Sequence, residues 1–337
     1  MGTNLSQNKV LNPPALAILA LLLVIGACKS SPNTSDEPAQ VISGCMDVIA
    51  LNFDSLATED DGSCQYYGCT DSSAVNYDPQ ATHDDGNCIS PSMVPEGWTL
   101  VWNDEFNSTS IELDKWNHEN WWPAYVNNEL QSYSDDPAHS FIHAGNLNIV
   151  LRKANPFDVN NPAYTSARMN TAWKGDWTYG RFDIRAKLPF GQGLWPAIWM
   201  MPTQSVYGGW PVSGEMDIME LVGHNPDVVH GTIHYGSNPP NNSQSGSSYQ
   251  LSQGDFSDDF HLFTLEWEEG ELRWYVDGNH YQTLTDWYSI GGDWPAPFDQ
   301  DFHIILNVAL GGPWAGDPDQ STSFPQAMLV DYVRVFQ

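Results

Sequence analysis

Between residues 100 and 336 apolar and polar residues alternate over many short stretches, the period-two pattern of half-buried strands. The strands this predicts are Leu100–Trp102, Asn146–Leu151, Gly180–Lys187, Pro196–Met200, Glu215–Leu221, His230–Tyr235, Phe260–Trp267, Glu271–Val276, His303–Val308 and Met328–Phe336. Turn residues punctuate them: Asp277-Gly278-Asn279, Gly311-Gly312, and Pro189 with Gly191. No long amphipathic helix is evident. So many strands in residues 93–337 predict an all-β sandwich or jelly roll.

The pattern before residue 93 is different. Residues 15–27, ALAILALLLVIGA, follow a lone Lys9. The run is shorter than the roughly 20 residues a bilayer span needs, and it has the length of a secretory signal's apolar region. Polar, Pro-containing sequence follows to residue 40, which argues against a core helix. The run ends Ile25-Gly26-Ala27-Cys28, which resembles the bacterial lipobox. That resemblance implies a signal peptide at 1–27 and lipidation of Cys28. It also implies an exported protein anchored through that lipid at the bacterial outer membrane or cell surface. Met1-Gly2 with Ser6 also fits a myristoylation pattern, but an export signal overrides it. Residues 28–43 read as the lipidated Cys and a flexible tether.

Two repeat units follow, at 44–66 and 68–90. GCMDVIALNFDSLATEDDGSC (44–64) aligns without gaps on GCTDSSAVNYDPQATHDDGNC (68–88). Each begins and ends with Cys. With Cys28 set aside, four cysteines remain, for which sequence alone allows three pairings. One bridge per unit, Cys45–Cys64 and Cys69–Cys88, is the expectation, since units this short need a staple in place of a core. The Asp-Asp-Gly near each end suits Ca²⁺, although the spacing is not that of an EF-hand; a metal-free acidic spacer is the other reading. The units loosely resemble thrombospondin type 3 repeats.

Charge narrows the partners. Forty-two acidic residues against 12 basic ones give a net charge of −30, which argues against binding nucleic acid and more weakly against polyanionic substrates. All 15 Trp fall between Trp98 and Trp314, more than one core usually takes. Some are therefore expected on a ligand surface, where flat apolar rings stack on sugars.

The candidate chemistry lies in Gly-Glu-Met-Asp-Ile-Met-Glu, residues 214–220. On a strand Glu215 and Asp217 share a face. Strict alternation would bury Glu220, so a β-bulge at Ile218–Met219 is expected to return it to the acidic face. Three adjacent carboxylates repel one another, which makes little structural sense and good catalytic sense. A retaining glycosidase needs two carboxyl groups roughly 5–5.5 Å apart, one as nucleophile and one as acid/base. A metal site or a solvated acidic strand is the structural alternative.

GEMDIME resembles the bulged signature of glycoside hydrolase family 16. Further stretches resemble bacterial laminarinases in order, among them LVWNDEF (100–106), NNELQSY (127–133), YGRFDIRAKLPFGQGLWPAIWMMP (179–202), HGTIHY (230–235), LRWYVDG (272–278) and HIILNVALGGPW (303–314). The resemblance implies a concanavalin A-like jelly roll of two curved antiparallel sheets with an open cleft, in a monomer acting on β-1,3-glucan. It implies Glu215 as nucleophile, Asp217 as helper and Glu220 as acid/base, with no cofactor in catalysis. It puts Trp195, Trp199 and Trp210 on the cleft, Asn127, Arg168 and His234 on sugar, and a structural Ca²⁺ at Glu105, Gly145 and Asp331. One stretch departs: laminarinases often carry Gly-Trp-Gly before Asn-Asn-Glu, whereas this chain has Trp121-Trp122-Pro123-Ala124-Tyr125-Val126. Mixed-linkage β-1,3-1,4-glucan, another family 16 polysaccharide, and a non-catalytic glycan-binding lipoprotein remain as alternative readings.

Overall fold

The computed structural model describes residues 40–154 and 163–337. The signal stretch, Cys28 and most of the tether lie outside the described residues. Among the described residues no helix is long and apolar enough to cross a membrane.

Two sheets form a sandwich. The eight-stranded sheet runs, in spatial order, Ser243–Gln250, Val228–Tyr235, Glu215–Glu220, Leu194–Pro202, Phe302–Leu310, Arg168–Asn170 and Asn117–His118, with Asp176–Trp177 also on Phe302–Leu310. The ten-stranded sheet centres on Gly180–Lys187 and Gln326–Phe336. Pairing in the sandwich is antiparallel with one exception to the expected pattern: Gln131–Tyr133 lies parallel to Tyr164–Ser166.

Each of the ten predicted strands is present, with Gly180–Lys187 and Glu271–Val276 ending where the pattern puts them. Two long strands were not read from the pattern. Ser243–Gln250 (SQSGSSYQ) has no apolar alternation because it is an edge strand with little buried surface. Asn279–Leu284 is the outer edge of the other sheet. It follows Glu271–Val276 through Asp277 and Gly278, whose φ values of 50° and 75° are both left-handed, as a two-residue type I′ hairpin requires.

The core lies between the sheets. From the eight-stranded sheet come Ile198, Met200, Met216, Ile218, Met219, Ile233, Ile304, Leu306 and Val308; from the other come Leu147, Ile149, Phe182, Ile184, Leu265, Val330 and Val333. The tryptophans divide as their number implies. Trp116, Trp267 and Trp274 are fully buried, whereas Trp122, Trp173, Trp210, Trp294 and Trp314 are exposed.

Each repeat is closed by its own disulfide, Cys45–Cys64 and Cys69–Cys88, as expected. The internal likeness extends to hydrogen bonds. Asn52 Nδ2 donates to the Ser63 carbonyl and its Oδ1 accepts from Gln65 N–H; Asn76 repeats both bonds with Asn87 and Ile89. The aspartates of Asp-Asp-Gly have local work: Asp60, Asp61, Asp84 and Asp85 each accept from a backbone N–H two residues on. Those bonds close short Asx turns at the end of each unit.

Trp267→Ala should destabilise the sandwich by about 3–5 kcal/mol, because a fully buried indole leaves a cavity and Nε1 loses its bond to the Phe298 carbonyl. Urea denaturation measures this, and a loss below about 1 kcal/mol would contradict the core described here.

Candidate active site

The site is built on Glu215–Glu220. Against the neighbouring strand, Glu215 pairs with His234 and Asp217 with Thr232, but Glu220 pairs with His230. Two residues, Ile218 and Met219, therefore stand opposite Gly231 alone. The register against Leu194–Pro202 slips at the same place, with Asp217 opposite Trp199 and Met219 opposite Ile198. This is the expected bulge. Ile218 and Met219 both enter the core, while Glu215, Asp217 and Glu220 line one pocket.

Gly231, opposite the bulge, leaves room for core rings, and it was not singled out in the sequence. Any Cβ there would come within 2.5 Å of Trp274 Cδ1 and of the Tyr281 hydroxyl. In that space Trp274 lies fully buried and donates from Nε1 to the Asp217 carbonyl at 2.9 Å. The core thus grips the catalytic strand at its central residue.

The pocket also brings together Asn127, Arg168, Trp195 and Trp199, with Tyr133, Glu129 and Asn307. Trp195 Nε1 donates to Glu220 Oε1 at 3.0 Å, and Trp210 Nε1 donates to Glu215 Oε2. His234 Nε2 lies 3.3 Å from Asp217 Oδ2 and 3.9 Å from Glu215 Oε1. Trp199 Nε1 donates to Asn307 Oδ1, Asn307 Nδ2 donates to the Tyr133 hydroxyl, and Tyr133 donates to Glu129 Oε2. Glu129 also accepts from Asn127 and Gln131. Glu129, Tyr133 and Asn307 were not assigned from sequence. The legible signal was the polar alternation Glu129, Gln131, Tyr133 within NNELQSY. Arg168 is buried rather than open to solvent: its Nε donates to Glu119 at 2.9 Å, and its guanidinium lies between the rings of Trp121 and Trp199.

Burial dominates the electrostatics. It raises Glu215 to about 8, with the Asp217 charge adding to the rise and His234 and the Trp210 N–H opposing it. It raises Glu220 to about 7, with the charge of Glu215 adding and the Trp195 N–H opposing. Asp217 is pushed well above the carboxylate range by burial and by Glu220. Three such carboxyls hold protons in common. Asp217 is 1% exposed and lies among the carboxyls of Glu215 and Glu220 and the His234 ring. Glu215, Asp217 and His234, with ligand atoms within 4.8 Å of one another, also form a group that could hold a metal ion.

On the far sheet, Glu105 and Gly145 leave the ends of their strands toward Asp331. Asp104 is paired with Val333 and Leu147 with Val330, on either side of Asp331. The Glu105 carboxylate is taken bidentately by Arg334, and Asp331 Oδ2 accepts from Arg185.

Cleavage of a glycosidic bond needs a pair of carboxyl groups, and here they share one pocket with sugar-stacking indoles, so fold and site together define a glycoside hydrolase. Residues 126–334 match glycosyl hydrolases family 16, and the chain belongs to that family. It is 42% identical over 261 residues to glucan endo-1,3-beta-glucosidase A1 of Niallia circulans, covering 72% of this chain and 38% of that protein. It is 42% identical over 253 residues to a beta-glucanase of Rhodothermus marinus, covering 71% of this chain and 85% of that one. The crystal structure of the laminarinase catalytic domain from Thermotoga maritima superposes with a TM-score of 0.64 at 43% identity, covering 72% of this chain and 99% of that domain.

Because the charge of Glu215 helps hold the proton on Glu220, Glu215→Gln should bring the Glu220 pKa down from about 7. Carboxyl-carbon NMR titration reads this directly, and an unmoved Glu220 would contradict the coupling.

Proposed function

We infer that this protein is a retaining endo-hydrolase of β-1,3-glucan. The observation that carries the reading is the bulged strand, which puts Glu215 and Glu220 in one pocket with a buried Asp217 between them. Kinship with glucan endo-1,3-beta-glucosidases and laminarinases supports the substrate class.

Glu220, protonated, donates to the glycosidic oxygen as Glu215 attacks the anomeric carbon and the leaving chain departs. Glu220, now charged, takes a proton from water, whose oxygen attacks the glycosyl-enzyme carbon and frees Glu215. Trp210 N–H favours the charged state of Glu215 that attack requires. The field of Glu215 supports the acid until the covalent bond cancels it, after which Glu220 falls to a pKa suited to a base. Trp195, by donating to Glu220, stabilises its charged form in the second step. Trp199 and Asn127 face the bound chain.

Two further assignments belong to this reading. We assign a structural Ca²⁺ to the far sheet, held by the backbone carbonyls of Glu105 and Gly145 and by the Asp331 carboxylate. The local support is a single side-chain oxygen: Gly145 has φ +72°, and Asn107 Oδ1 stands 2.9 Å from where a Cβ would be, an oxygen of the type Ca²⁺ takes. We also assign an acyl anchor at Cys28 that tethers an exported enzyme to the cell surface, supported by the apolar run before it and by the two disulfides.

Glu215→Gln should lower laminarin hydrolysis more than roughly a thousandfold while laminarin binding persists. Assays on laminarin, barley glucan and agarose in parallel decide the substrate, and near-normal turnover by the variant would refute the role. The alkaline limb of kcat/KM should belong to the coupled Glu215–Glu220 pair and lie near neutrality, above the ordinary carboxylate range. Trp195→Phe removes a donor to the charged form and so moves that limb upward; a downward move would contradict the assignment. Chelation should lower the melting temperature, with Ca²⁺ restoring it; a melting temperature indifferent to both would remove the metal.

A further inference from the structure

We propose that Trp122 and Tyr125 form an aromatic platform that binds a sugar unit of the glucan chain beyond the catalytic pocket. The proposal rests on the β-1,3-glucan reading and concerns the stretch in which this sequence departs from the laminarinase pattern.

A continuous stack leads from the pocket to these rings. Trp199, on the pocket wall, packs on the Arg168 guanidinium at 4.6 Å. The same guanidinium lies 4.2 Å from the Trp121 ring. Tyr125 packs on Trp121 with ring centroids 4.5 Å apart, and Trp122 meets Tyr125 edge-on at 5.0 Å. The stack runs from half-buried to open: Trp122 is 68% exposed and Tyr125 is 50% exposed. The same loop returns to the pocket, since Val126 and Asn127 line it. A chain leaving the pocket on this side therefore meets the platform next.

The loop is held for binding. Trp121 exchanges two backbone hydrogen bonds with Tyr133, at 3.1 and 2.9 Å, and Ala124 N–H donates to the Glu129 carbonyl at 2.7 Å. Pro123 fixes one φ, and Ala124, Asn127 and Asn128 take left-handed φ values of 59°, 50° and 52°. Rings fixed in place lose little freedom when a ligand stacks on them. The C–H face of a glucose ring is flat and apolar, which suits an exposed indole or phenol, and its hydroxyls remain in water. Across the catalytic strand the wall is polar, made by His230, Thr232, Gln244, Gly246 and Ser248.

The test uses Trp122→Ala, Tyr125→Ala and the double variant, with kcat/KM measured on laminari-oligosaccharides from the shortest cleaved to heptaose. The expected result is that the ratio of kcat/KM on long to short chains falls about tenfold in the double variant, the loss typical of truncating anchoring aromatics. Trp122→Phe should keep most of that ratio. An equal fall at every length, or an unaltered ratio, overturns the platform and leaves the enzyme's function standing. Absence of cleavage of the whole series by the unaltered protein overturns the β-1,3-glucan reading, and this assignment with it.

Discussion

The structure turns on keeping three carboxyl groups on one face of a strand that is otherwise part of a core. A regular strand cannot place residues 215, 217 and 220 together. The extra residue at Ile218–Met219 does so, with both side chains in the apolar core and Gly231 opposite them leaving space beneath the strand. Trp274 fills that space and holds the Asp217 carbonyl from beneath. The hydrophobic core thus maintains an arrangement that mutual repulsion and desolvation oppose.

That opposition is what the chemistry uses. Buried carboxyls rise in pKa toward neutrality, and donors then distribute charge among them. One indole N–H reaches Glu215 and another reaches Glu220, while Asp217, sealed from water, has only its neighbours to share a proton with. A second buried network, Glu129 through Tyr133 and Asn307 to Trp199, sets the angle of an aromatic wall. The outer subsite proposed above lies on the loop at 121–128, which is aromatic, pinned by backbone hydrogen bonds and joined to the pocket through Arg168.

Much of this was legible in the sequence, for stated reasons. Alternation marked strands such as Gly180–Lys187 because one face of each meets the core. The bulge could be foreseen because burying Glu220 would cost too much. The disulfide pairing followed from the repeat. Ser243–Gln250 was silent because an edge strand needs no apolar face. Arg168 was expected on sugar, and it does line the pocket, but its ion pair with Glu119 and its place between two indoles depend on residues far apart in the chain. Gly231 and Asn307 were invisible for the same reason: their roles exist only across strands.

The central claim is that Glu215 forms the covalent bond to the sugar. The most direct measurement is to trap it with a 2-deoxy-2-fluoro laminaribioside bearing an activated leaving group and to map the label by peptide mass spectrometry. The account predicts one glycosyl unit on the peptide containing Glu215, attached at that carboxyl. A label on Asp217 or Glu220, or inversion of anomeric configuration without any trapped intermediate, would contradict it.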